Sequence, residues 1–174
     1  MSKVLVTLDF DGVVSPIDHS RDFQGEEEYE FEVYNFGFLC AVSTEVREFL
    51  QELKELSEAH PDQIVVRWAS SWNEMTERFE AKSGGAIPGF SYIDTSKSKA
   101  KAIAAEALAV DASVVLVFED SEIVHEELQE LWKSKSKLSN RFFLPIMPEL
   151  KSGILYSHIL AAKSVIAFEF GKNS

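Results

Sequence analysis

Cysteine is almost missing from the chain: Cys40 is the single one. That excludes an internal disulfide and any multi-cysteine zinc site, and it makes a reducing compartment the natural setting. Basic residues are scarce, 17 against 29 acidic ones, for a formal net charge of -12. Such a field repels phosphate backbones and acidic membranes, which argues against nucleic acid as a main partner. No apolar run approaches the length that spans a bilayer. The opening MSKVLVTLDF has no long apolar region of the kind a signal peptide carries, so the expected location is cytoplasmic. No glycine run ends in Gly-Lys-Ser/Thr and no Gly-x-Gly-x-x-Gly is present, which removes the common nucleotide fingerprints. Nor does any repeat, low-complexity tract or linker divide the 174 residues, a length that fits a single domain over 1–174.

What is present is the pattern of a soluble α/β domain. Val4 to Leu8 is a short apolar run ending at Asp9 and reads as a buried strand. Residues 13–42 begin irregularly, with Pro16, Gly25 and the acidic cluster Glu26, Glu27, Glu28, read as a solvated loop. Glu30, Phe31, Glu32 and Val33 then alternate polar and apolar, and another apolar stretch follows Asn35 and Gly37. This predicts a strand pair, a flap hairpin standing off the main sheet. Ser43 is a suitable N-cap for a helix in which Val46, Phe49, Leu50, Leu53 and Leu56 fall at helical spacing until His60-Pro61. Ile64 to Ala69 predicts a second strand. Ser71 with Glu74 three residues on predicts a helix opened by a capping box. Beyond the loop at Gly84 to Gly89, Tyr92-Ile93 is a candidate short strand. Lys99 to Val110 is helical, Val114 to Phe118 a buried strand, and Ser121 opens a helix through Trp132. Arg141 to Leu144 and Ile154 to Phe168 close the chain as strand and helix. Strands alternating with helices imply a mainly parallel sheet with helices on both faces, three layers in all.

The chemistry concentrates at strand ends. Leu8-Asp9-Phe10-Asp11-Gly12 places two carboxylates one residue apart where the first strand gives way to a loop. Strand alternation points both side chains the same way, and the glycine allows a sharp turn and close backbone approach. Two such carboxylates repel each other without a cation, so a metal is implied, and hard oxygen ligands suit Mg²⁺. A lone Asp-x-Asp-Gly is commonly a surface turn. Here the pair ends a buried strand and partners follow in order. Ser70 ends the second strand in Trp68-Ala69-Ser70-Ser71-Trp72, Lys99 stands at the start of a helix, and Glu119-Asp120 ends the strand Val114 to Phe118. In open α/β sheets, ligands bind beyond the carboxyl ends of the strands.

Acid pair, hydroxyl, lysine, acid pair is similar to the motif order of the haloacid dehalogenase superfamily, over nearly the whole chain. More narrowly, the sequence resembles small capless members with an Asp-x-Asp-Gly-Val start, a Trp-Ala-Thr-x-Trp second motif and an acid pair as the fourth. The resemblance implies a Rossmann-like parallel sheet, a short flap over 13–42 in place of a large cap, and an open site for a phosphorylated small molecule or macromolecule. It implies a Mg²⁺-dependent phosphate-ester hydrolase in which Asp9 is the nucleophile and Asp11 the general acid and base. Ser70 would bond a phosphoryl oxygen, and Lys99 would neutralise charge on the phosphoryl group and Asp9. The metal would be held by Asp9, by the backbone carbonyl of Asp11, and by an acid from Glu119-Asp120. Glu119 stands where aspartate is more usual, so either Glu119 or Asp120 can be the direct ligand. Lys99 fits the family spacing, four residues before Ile103, with Lys97 the alternative. Gly153-Ile154-Leu155 followed by His158 resembles an ending of the same subgroup and takes no catalytic role.

Rival functions are separable. Dehalogenases of the superfamily lack the second aspartate, so Asp11 argues against that activity. Transfer to an alcohol other than water fits the same residues. A catalytically weak or inactive protein that keeps the fold for binding or regulation is disfavoured by the intact Asp9-Asp11 pair and kept open by Glu119. Trp68, Trp72 and Trp132 read as core or pocket wall before they read as a stacking platform.

Overall fold

The apolar runs Val4–Leu8 and Val114–Phe118 form the two strands whose ten side chains are all buried, as expected of strands covered on both faces. In the computed structural model, which describes residues 3–16, 27–33 and 36–171 (27–33 and 36–39 by backbone alone), they are β1 and β5. The remaining elements are β2 (Glu27–Val33), β3 (Phe36–Val42), α1 (Thr44–Ala59), β4 (Ile64–Trp68), a 3-10 helix (Asn73–Arg78), α2 (Phe79–Lys82), α3 (Lys99–Ala109), α4 (Glu122–Ser134), α5 (Ser136–Ser139), β6 (Phe142–Ile146) and α6 (Tyr156–Gly171).

Four strands make a parallel sheet in the order β4-β1-β5-β6. Val4 lies opposite Ile64 on one side and Val114 on the other, so the three strands end level at Leu8, Trp68 and Phe118. The chain leaves β1 for β4 on one side and returns to β5 on the other. The direction of winding therefore reverses between β1 and β5, which is where an open α/β sheet leaves a crevice.

Alternation along the strands divides the core in two. Val4, Val6, Leu8, Val114, Leu116 and Phe118 pack against α1 and α6 through Phe49, Leu50, Leu53, Ile159 and Ile166. Leu5, Val115 and Val117 face α3 and α4 through Ala100, Ile103, Ala104, Leu128 and Trp132. The small residues of α3 let that helix lie close to the sheet. Each fully buried large side chain contributes about 1.5–3 kcal/mol of transfer free energy. Ser43 and Ser121 cap α1 and α4 as expected, each accepting from the backbone N–H three residues on, Val46 at 3.3 Å and Val124 at 3.4 Å.

β2 and β3 pair antiparallel in a separate two-stranded sheet, the expected hairpin. Glu27 and Glu28 belong to β2, which corrects the reading of the acidic cluster as a loop; Gly25 and Glu26 lie outside the described residues. Three other boundaries differ from expectation. Ser71 makes no cap: the segment after β4 is a 3-10 helix preceded by Trp72, with no side-chain cap bond. The last strand runs on through Pro145. Ile146 O accepts from Glu119 N at 3.1 Å and Phe142 N donates to Ser113 O at 2.8 Å, so even-numbered residues face β5. Pro145, lacking an N–H, faces the open edge, where its loss costs no ladder bond. The last helix starts at Tyr156 because Ile154 N donates to Val13 O at 2.8 Å, tying this stretch to the loop after β1. The candidate strand at Tyr92-Ile93 is a single bridge to Trp68.

Candidate functional site

The loop after β1 is wound tightly on one carbonyl. Phe10 O accepts from Val13, Val14 and Ser15 N at 3.3, 2.9 and 2.8 Å. Gly12 makes the turn with φ +74, and a Cβ built there would come within 2.3 Å of Asp120 Oδ2. The missing side chain at Gly12 is therefore what lets the Asp120 carboxylate lie against this loop. Phe10, between the two acids, packs into a cluster of Trp68, Trp72 and Phe79 with ring centroids 4.3–6.0 Å away. That anchor fixes the backbone between Asp9 and Asp11.

Register brings the second acid pair alongside the first. Asp9 N donates to Phe118 O at 3.0 Å, so Asp9 and Glu119 leave neighbouring strands together. Carboxylate oxygens of Asp9, Glu119 and Asp120 lie within 4.8 Å of one another. Lys99, at the first residue of α3, bridges two of them: Nζ is 2.6 Å from Asp9 Oδ2 and 2.7 Å from Glu119 Oε2. Asp9 Oδ1 accepts from Phe10 N at 2.7 Å, and Glu119 Oε1 from Ser121 N at 3.1 Å. The structure thus gathers Asp9, Glu119, Asp120 and Lys99. Lys97 is exposed and does not enter this cluster. Asp11 stands beside it, its Oδ2 accepting from Trp72 Nε1 at 2.6 Å.

Charge here is out of balance, because four carboxyls share one ammonium. Burial alone would lower the Lys99 ammonium, but Asp9 and Glu119 outweigh it and hold it above its ordinary value. Glu119 is pushed up to about 7, by burial first and then by Asp9, against the pull of Lys99. Asp120 is raised by burial and by Asp9. Asp11 is raised by burial first and by Asp9 and Asp120, while the Trp72 bond opposes the rise. A set of oxygen donors with excess negative charge, gathered at one point and with room kept by a glycine, fits a hard divalent cation. Asp9, Glu119 and Asp120 could hold a metal ion.

Ser70 ends up fully buried. Its Oγ accepts from Trp72 N at 3.4 Å, and its carbonyl accepts from Thr95 Oγ1 at 3.0 Å. Sequence reasoning missed three further participants. Asn73, at φ +43, takes bonds on Oδ1 from Thr95 N and Oγ1, at 2.9 and 3.2 Å, and so ties the end of β4 to the stretch before α3. Trp72 reads in sequence as core or pocket wall, and only the fold shows its bond to Asp11. His125 donates from Nε2 to the Glu119 carbonyl at 2.7 Å behind the cluster; burial holds the imidazole below its ordinary value. Cys40 is buried and its thiol is pushed up to about 12, by burial first and then by Asp11, which leaves it a poor nucleophile.

No protein-family model matches the chain, and no curated protein does. Among solved structures, the chain is similar to the HAD domain of the effector protein Lem4 from Legionella pneumophila. The TM-score is 0.57 and the identity 14%, with 95% of each chain covered. At that identity the likeness speaks of architecture alone. The chain shares with that domain a Rossmann-like α/β fold, and its own acidic, lysine-bridged cluster lies at the switch point of the sheet.

Proposed function

We propose that this protein is a Mg²⁺-dependent phosphohydrolase that works through a phosphorylated Asp9. The observation that carries the reading is the Lys99 ammonium bonded to both Asp9 and Glu119, with Asp120 beside them. A lysine so placed can screen the approach of an anionic ester to an anionic nucleophile. Asp9 attacks phosphorus, and the bond to the leaving oxygen breaks. Asp11 gives that oxygen its proton, then takes one from the water that hydrolyses the acyl phosphate. Ser70 and Lys99 hold phosphoryl oxygens. Mg²⁺, on Asp9, Glu119 and Asp120, would supply charge neutralisation on the transferring group. The substrate is a phosphorylated small molecule or macromolecule reached from the open end of the sheet, and the working compartment is the cytoplasm.

Hydrolysis of an aryl phosphate by the purified protein, with and without Mg²⁺, tests this reading. Turnover that needs the metal and is abolished in Asp9→Asn is the expected result. Absence of turnover together with absence of Mg²⁺ binding would move the assignment to a non-catalytic role for the fold.

A further inference from the structure

Asp11 sits beyond the end of β1, on a loop, where nothing in the local backbone fixes a carboxylate rotamer. One contact from far along the chain does. The Trp72 indole donates from Nε1 to Asp11 Oδ2 at 2.6 Å, across 61 residues of sequence. The indole is itself clamped. Its ring meets Phe10 at 5.4 Å and Phe79 at 5.6 Å, both edge-on, and its backbone N donates to Ser70 Oγ. Phe10 is the residue between Asp9 and Asp11, so one aromatic cluster sets both the backbone that carries Asp11 and the donor that aims it. An indole N–H donates only, and does not ionise at working pH. It can hold one carboxyl oxygen and leave the other for proton transfer, without competing as an acid.

We infer that Trp72 is a positioning residue for Asp11: its indole N–H fixes the carboxyl so that the second oxygen faces the leaving group. This rests on the phosphohydrolase reading above. It adds that the capacity to cleave esters of poorly departing alcohols resides in the Trp72–Asp11 pair. An aryl oxide departs without protonation, whereas an alkoxide needs a proton as it leaves. A mis-aimed acid therefore hurts alkyl phosphates and spares activated aryl ones.

The test is kcat/KM, which reports events up to phosphoryl transfer, over a series from p-nitrophenyl phosphate to simple alkyl phosphates. Trp72→Phe keeps a ring in the cluster and removes the donor. A second variant, with the indole replaced by isosteric benzothiophene, removes the donor without changing size. Both are expected to stay within about threefold of the parent on the aryl ester, and to fall on the order of tenfold or more on alkyl esters. In an Asp11→Asn background, Trp72→Phe is expected to add less than about twofold. Independently of activity, the indole N–H resonance of Trp72 should move when Asp11 becomes Asn. A uniform drop across the series, an additive double variant or an unmoved resonance overturns the inference and leaves the hydrolase intact. A parent protein silent on every ester, with Mg²⁺ bound or not, overturns the hydrolase reading and this inference with it.

Discussion

The ends of β5 and β4 invite comparison, because each passes from a buried strand through a serine into a helical segment, and they are held by different forces. After Phe118 the chain runs Glu119-Asp120-Ser121, and Ser121 caps α4 by a bond to its own third neighbour, Val124. After Trp68 it runs Ala69-Ser70-Ser71-Trp72, and Ser71 caps nothing. This end is held by distant partners. Trp72 reaches Asp11, and Asn73 and Ser70 are bonded by Thr95. A local signal decides structure where no stronger long-range contact competes. Where the chain must place a donor against Asp11, the Ser71-x-x-Glu74 pattern yields.

The largest effect should come from the charge at the β5 end. The folded value of Glu119 lies above its ordinary 4.5, at about 7, so the folded state binds that proton more tightly than the unfolded one. The stability this group contributes is complete below about 4.5 and is lost as pH rises through about 7. Asp120 and Asp11 are shifted the same way. Metal-free protein should lose thermal stability across that window. Mg²⁺ should restore it, with a gain in Tm that is small at the acid end and grows with pH. A gain independent of pH would place the metal elsewhere.

Gly12→Ala strikes the same end from the β1 loop, since its Cβ would meet Asp120 Oδ2 at 2.3 Å in a backbone of φ +74. It should cost about 1–3 kcal/mol in urea unfolding and weaken Mg²⁺ binding by roughly tenfold or more by calorimetry. Ser121→Ala, removing a local cap, should cost about 1 kcal/mol. The smallest changes separate the two ends most sharply. Thr95→Val removes the hydroxyl that bonds Ser70 O and Asn73 Oδ1 and should cost about 1 kcal/mol. Ser71→Ala should stay within about 0.5 kcal/mol. Equal costs at Ser71 and Ser121 would show that the local pattern operates at both ends.

Much of the fold was legible because burial writes a plain signature. β5 is an uninterrupted apolar run and β1 one broken only by Thr7, β2 alternates before the apolar β3, and Ser43 and Ser121 stand where helices begin. What was not legible depends on contacts across the chain. The strand at Phe142–Ile146 passes through a proline that reads as a stop until the open edge beside Pro145 is known. The start of α6 is delayed by the bond from Ile154 to Val13, 141 residues away by number. In the site, Asp9, Glu119 and Asp120 stand out by their places at strand ends and Lys99 by its fit to the family spacing, and the fold brings these four together. Gly12, Trp72, Asn73 and Thr95 act through neighbours remote in sequence, so residue type alone gave no sign of their partners.

The most direct test of the central claim is to look for the acyl phosphate itself. Asp11→Asn protein, given Mg²⁺ and p-nitrophenyl phosphate, can transfer the phosphoryl group to Asp9 but lacks the base to release it. Borohydride reduction should then convert residue 9 to homoserine, seen in the peptide that contains it by mass spectrometry. Homoserine at position 9, dependent on substrate and metal, is the expected result. Release of p-nitrophenol with residue 9 still aspartate would contradict the account.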